Sequence, residues 1–121
     1  MSIENRKLLR RHLIYYLRVF DNLTGDLLGH LVDLTVEGLM LVSEEPIKTK
    51  KHYELRMVLP KEIHNQTTVT FEAESLWNKK DINPSFYVTG FRIKSLSPDV
   101  TSILDYVISM FGFPEDQQIS T

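Results

Sequence analysis

Residues 67 to 77 alternate between apolar and polar side chains, and this pattern constrains the fold more than any other feature. A period of two is typical of a β-strand with one face in a core and one face in solvent. The stretch therefore predicts a long strand. The predicted inner face carries Val69, Phe71, Ala73, Ser75 and Trp77, and the opposite face carries Thr68, Thr70, Glu72 and Glu74.

Five further segments are rich in branched and aromatic residues and are bounded by turn signals, which also predicts strands. They are residues 12–20, 27–34, 38–43, 53–59 and 86–93. Pro60 is expected to end the fourth strand because proline lacks the N–H that a sheet ladder needs. Residues 78–84 are predicted to form a loop.

A single helix is predicted near the C-terminus. Ser97, Pro98 and Asp99 provide an N-cap hydroxyl, a proline at the first helical position and an early acid. Gly112 and Pro114 follow where a helix should end. Six strands and one helix predict a small antiparallel barrel or sandwich. An apolar stripe at helical spacing comprises Val100, Ile103, Leu104, Val107, Ile108 and Phe111.

Composition limits the class of protein. The 121 residues suffice for one domain, which we expect at 12–114 between a flexible basic arm (1–11) and a tail (115–121). The net charge of −2 argues against a general nucleic-acid binder. The sequence has no cysteine and no long apolar run, so we expect a cytoplasmic protein without membrane insertion.

Two short patterns carry candidate binding chemistry. Four of the six residues from 6 to 11 are Lys or Arg, including Arg6, Arg10 and Arg11. Guanidinium groups bind phosphate or the O6/N7 edge of guanine through a planar fork of donors. The alternative is a solvated basic tail, which is the more common fate of a charge run.

The second pattern is Asp33, Thr35 and Gly38, on the turn between two predicted strands. A carboxylate matches the adjacent N1–H and N2–H donors of guanine, and a hydroxyl can donate or accept. Gly38 would permit a positive φ or the close approach of a ligand. An ordinary β-turn is the alternative. A hairpin returns the chain to its start, so the arm and this turn are expected at the same end.

With these motifs the chain resembles a PilZ domain, the bacterial receptor module for cyclic di-GMP. That family's pattern is Arg-x-x-x-Arg followed further along by Asp/Asn-x-Ser-x-x-Gly, and Arg6, Arg10, Asp33 and Gly38 match it. Thr35 departs from the usual serine but keeps the hydroxyl. The similarity continues through residues 71–77 and 88–93, and so covers nearly the whole chain.

The resemblance implies a mainly β protein, a six-stranded antiparallel β-barrel with a C-terminal α-helix. It implies that Arg6 and Arg10 bind the phosphates and guanine edges of cyclic di-GMP, with Arg11 as a further cation. Asp33, Thr35 and Gly38 would surround one guanine. The arm would order on the ligand and relay the signal to a downstream protein, with no cofactor needed.

Trp77 has two interpretations. It could stack on a base of the ligand, but a position in the barrel core is the expected one.

Three alternatives stay open. A PilZ-like interaction module that does not bind nucleotide would have the same fold. An enzyme is not expected, because the four histidines lack metal-binding spacing and no Gly-x-Ser-x-Gly elbow occurs. An oligonucleotide-binding barrel would spread basic and aromatic residues over a strand face, whereas the basic charge here lies mainly in the arm.

Overall fold

The computed structural model describes residues 17–111, which form one closed antiparallel barrel and one helix. The barrel order is β1-β2-β3-β6-β5-β4. This confirms the predicted fold class and decides for a barrel over a sandwich. The elements are β1 Arg18–Asp21, β2 Leu27–Leu34, β3 Gly38–Ser43, β4 His52–Ile63, β5 Gln66–Lys80, β6 Tyr87–Ser95 and α1 Pro98–Phe111.

Several predictions fall outside the described residues. They are the basic arm with Arg6, Arg10 and Arg11, the first strand before residue 17, the helix end at Gly112 and Pro114, and the tail 115–121.

The barrel interior is filled by the inward faces of all six strands. Alternation along β4 buries Leu55, Met57 and Leu59, and alternation along β5 buries Val69 and its inward neighbours up to Ser75. Burial of branched and aromatic side chains is the main favourable term in such a fold. The residues that are at most 1% exposed include Val19, Leu31, Leu34, Leu41, Leu55, Met57 and Leu104.

The β4–β5 hairpin is longer than predicted. β4 continues through Pro60 to Ile63, so the expectation that Pro60 ends the strand is wrong. The pairing with β5 is irregular between Val58 and Ile63, which places the proline where the ladder is interrupted. β5 in turn continues to Lys80, where a loop was predicted, because its last residues pair with β6.

The C-terminal helix packs its apolar stripe, from Val100 to Ile108, against the barrel core. Ile103, Leu104 and Val107 are at most 1% exposed and belong to the same cluster as the strand residues. At the start of the helix, the Ser97 hydroxyl accepts a hydrogen bond from the N–H of Val100 at 3.2 Å. The predicted N-cap is therefore present, and the stripe serves the fold.

A bulge in β2 changes the side to which its last residues point. Leu31 pairs with Leu41 and Asp33 pairs with Met40, so Val32 is an extra residue opposite a continuous β3. Without it, Asp33 would share the buried face of Leu31, because alternate residues of a strand share a face. With it, Asp33 is half-buried on the outer side of the barrel.

A second bulge occurs in β5. Ser75 pairs with Phe91 and Trp77 pairs with Gly90, so Leu76 is the extra residue. The predicted inner face of this strand therefore ends at Ser75, which is fully buried. Trp77 is 41% exposed on the outer face, and the expectation of a core tryptophan is wrong.

Candidate functional site: a groove across four strands

The two bulges align four residues in one row across the outer face of the barrel. Asp33 of β2 pairs with Met40 of β3, Met40 pairs with Gly90 of β6, and Gly90 pairs with Trp77 of β5. Cross-strand partners project to the same side of a sheet. Strands lie about 4.8 Å apart, so the row spans roughly 14 Å from carboxylate residue to indole residue.

A shallow groove of about 220 Å³ runs along this row. Four residues singled out by the sequence line it together, although Trp77 is distant from the others in the chain. The groove is lined by Asp33, Thr35, Gly38, Leu39, Met40, Leu76, Trp77, Gly90 and Phe91.

The turn that follows Asp33 is held by the Thr35 hydroxyl. Thr35 Oγ1 accepts hydrogen bonds from the N–H groups of Glu37 at 3.1 Å and Gly38 at 3.2 Å. The Thr35 N–H donates to the Gly38 carbonyl at 2.9 Å and closes the turn. These bonds need only a β-hydroxyl, so threonine supplies the same turn chemistry as serine.

Asp33 contributes the carboxylate at this end of the groove. Its Oδ1 accepts the N–H of Leu34 at 3.0 Å, which orients the side chain beside the turn. An ionised carboxylate only accepts hydrogen bonds, so this end of the groove favours a ligand edge with N–H donors.

Gly38 is glycine because of its neighbour in the sheet. Of the two roles predicted for it, a positive φ or a close approach, the positive φ is not found, since the described glycine with a positive φ is Gly25, at 85°. A Cβ on Gly38 would lie 2.6 Å from the carbonyl oxygen of Phe91 in β6. The glycine allows the start of β3 to approach β6 closely, and this places the 35–38 turn beside the groove.

Trp77 forms the opposite end. Its indole lies directly against the backbone of Gly90, where a Cβ would overlap the ring atoms Cε2, Cζ2 and Nε1. Gly90 and Met40 were not among the residues predicted for the site. A glycine inside a strand pattern signals the close approach of another group, and this signal was available at Gly90.

A lysine lies beside the indole at the tryptophan end. Lys79 Nζ lies 5.6 Å from the centroid of the Trp77 ring, within cation–π range. Arg92, on the same face of β6 as Gly90, donates to Glu74 Oε1 at 2.7 Å. This hydrogen bond lowers the pKa of Glu74, and the charges of nearby lysines add to the effect. Glu74 balances the charge of Arg92. The groove thus has a carboxylate at one end and an aromatic ring with a neighbouring lysine at the other.

The part of the chain from 17 to 111 contains no cluster of three or more residues suited to hold a metal ion. Within the same residues no helix is long and apolar enough to cross a membrane.

The fold, but not the sequence, matches a known structure. The inhibitor of motility MotI/DgrA of Bacillus subtilis superposes with a TM-score of 0.53 at 10% sequence identity. The match covers 87% of this chain and 46% of that one, so this chain spans about half its length. No protein-family model and no curated protein sequence matches the chain. At this level of identity the likeness establishes the fold alone.

Proposed function

We propose that this chain is a cyclic di-GMP receptor domain that relays ligand binding to a partner protein. The observation that carries the proposal is the convergence of Asp33, Thr35, Gly38 and Trp77 on one groove. Trp77 is distant in the chain from the other three residues. Of those three, Asp33 and Gly38 match the PilZ motif, and Thr35 keeps the hydroxyl of the usual serine.

The two ends of the groove suit two parts of a purine dinucleotide. Asp33 offers acceptors for the N1–H and N2–H edge of a guanine, with the 35–38 turn beside it. Trp77 offers an exposed aromatic face, and stacking a base on such a face contributes about 1–3 kcal/mol. Because the ends lie roughly 14 Å apart, a ligand with two linked bases uses the groove better than a mononucleotide.

The phosphates would be bound by the basic motif of residues 6–11. Leu17 lies beside Leu31, its carbonyl accepting the Leu31 N–H at 2.8 Å, and β1 runs antiparallel to β2. Leu17, the first described residue, therefore lies on the side of the barrel where Asp33 lies. Arg10 precedes Leu17 by seven residues, which span at most about 25 Å, so its guanidinium is within reach of the groove.

A ligand bound by both the basic motif and the groove would hold the motif against the barrel. A partner protein could then bind the surface that the two form together. The protein that shares the fold is named as an inhibitor of motility, which is a regulatory effect. That name agrees with a receptor role, and this proposal assigns the chain no catalytic role.

The test is calorimetric titration of the full chain with cyclic di-GMP. We expect wild-type binding, and a loss of about 10- to 100-fold in affinity for Arg10→Ala, since a charge-assisted hydrogen bond contributes about 1.5–3 kcal/mol. Lys61→Ala is the matched control, because it removes one exposed cation from β4, outside the four groove strands.

Two measurements separate this proposal from a module that does not bind nucleotide. A bound ligand raises the Tm because it stabilises only the native state. A wild-type protein that shows neither heat of binding nor a higher Tm at saturating ligand would be the non-binding module, and the proposal would fail.

A further inference from the structure

A second groove, of about 300 Å³, opens on the outer face of the barrel. It lies at the start of β2 and the end of β3, whereas the first groove lies at the opposite ends of these strands. The second groove is lined by Leu27, Leu28, Gly29, His30, Val42, Ser43, Glu44, Glu45 and Phe86.

Exposed apolar side chains lie in the lining of this groove and in the chain segments that adjoin it in sequence. Leu27 in its lining is 48% exposed, although it begins a strand. Leu23, in the turn that leads into β2, is 77% exposed, and Ile82 is 92% exposed. Ile82 lies in the loop that the hydrogen bond from Asp81 N–H to the Phe86 carbonyl closes. Single exposed apolar residues are ordinary, but Leu27, Leu28 and Phe86 line one concave surface together, as is typical of a binding site.

The rim of the groove is acidic. Glu44 and Glu45 are exposed, and neither forms an ion pair with any other residue between 17 and 111. The Ser43 hydroxyl donates to the Glu45 carbonyl at 2.7 Å, which ties the acidic segment to the end of β3. Asp26, also exposed, precedes Leu27. The lining contains neither lysine nor arginine.

We propose that this second groove is the docking surface for a partner protein, through a segment with adjacent aliphatic side chains flanked by lysine or arginine. The apolar lining would take the aliphatic side chains, and the two glutamates would pair with the flanking cations. Charge complementarity selects this partner over an acidic or wholly apolar one.

The second groove also lies where a bound partner could respond to a ligand in the first groove. Met40 lines the first groove and Val42 lines the second, two residues apart on the same face of β3. A ligand in one groove and a partner on the other would contact the same strands.

The experiment is an NMR titration of the uniformly labelled full chain with the synthetic peptide KKLLKK, without nucleotide. We expect shift changes at residues 27–30, 44–45 and 86. The double variant Glu44→Lys, Glu45→Lys should weaken binding at least about fivefold, because two charge pairs turn from attractive to repulsive. Leu27→Ser should also weaken it.

Two matched controls test specificity. Glu62→Lys reverses an exposed acid on β4, and Met110→Ser removes an exposed apolar side chain from α1. Both should bind the peptide as the wild type does. Unchanged Tm values would show that the variants are folded.

Three results would overturn the inference. Shift changes confined to residues 33–38 would place the peptide in the other groove. Equal weakening by Glu62→Lys would mean unspecific attraction. The third result is that the double variant Glu44→Lys, Glu45→Lys shifts the amide signals of residues 6–11 without any peptide. The chain's own basic segment would then be the occupant, and no partner would be needed.

Discussion

The contact between the Trp77 indole and the Gly90 backbone is the single-residue feature on which the groove depends. Any side chain at Gly90 occupies the space of the ring, because even a Cβ would overlap it. The glycine is a local cost to a strand, about 0.5–1 kcal/mol relative to alanine. That cost is understandable if the strand must leave room for an aromatic ring.

Gly90→Ala should therefore displace Trp77. We expect a changed fluorescence spectrum and a loss of cyclic di-GMP affinity of about 5- to 100-fold, the range of one lost stacking contact. The control is a double-mutant cycle with Trp77→Ala. In that background Gly90→Ala should have no further effect on affinity and should leave stability unchanged or slightly raised. An additive cycle would contradict the role assigned to the contact.

At the scale of secondary-structure elements, local patterns predicted much of the fold. Alternation along β5 gave its buried face up to Ser75, and the Ser97 signal gave the start of α1. The failures have one cause, because the Leu76 bulge and the interrupted ladder at Pro60 arise from pairing with another strand. The alternation in the sequence continues through the bulge, but the bulge reverses the face to which the following side chains point. The prediction for Trp77 therefore named the wrong face.

The packing of α1 gives a prediction at this scale. Leu104 is fully buried between the helix and the barrel, so Leu104→Ala should lower the free energy of unfolding by about 2–5 kcal/mol. Met110→Ala, on the exposed side of the same helix, should change it by less than about 0.5 kcal/mol. Urea denaturation measures both. Equal effects would mean that the helix is not part of the core.

For the molecule as a whole, the sequence predicted the turn of the candidate site but not the complete site. Asp33, Thr35 and Gly38 are close in the chain, and their turn follows from the hairpin around them. The other end needs Gly90 opposite Trp77, which is a register between distant strands. Likewise, residue 38 has no room for a side chain because the carbonyl of Phe91 in β6 lies close to it, and not because of the conformation of its own turn.

The free energy of unfolding should fall at alkaline pH, and ionisation of Tyr53 should account for part of the fall. Burial raises the pKa of Tyr53 above its ordinary value of 10.0, and the charge of Asp21 adds to this. The unfolded chain therefore ionises first. The stability contribution of the neutral phenol is complete below pH 10.0 and is lost as the pH rises from there through the folded-state pKa.

Tyr53→Phe cannot ionise, so its unfolding free energy should fall less steeply between about pH 9 and pH 11 than that of the wild type. At neutral pH the two proteins should differ little, because the hydroxyl makes only a long hydrogen bond, 3.4 Å, to the Lys48 carbonyl. Parallel pH profiles from urea denaturation would contradict the assignment.

The most direct test of the whole account uses the single tryptophan of the chain as its probe. Titrating cyclic di-GMP into the full chain should change Trp77 fluorescence saturably, with excitation at wavelengths that tyrosine does not absorb. GMP should have a much weaker effect at the same concentration, and the midpoint should match the calorimetric Kd. Saturable calorimetric binding with unchanged Trp77 emission would place the ligand elsewhere and contradict the assignment of this groove.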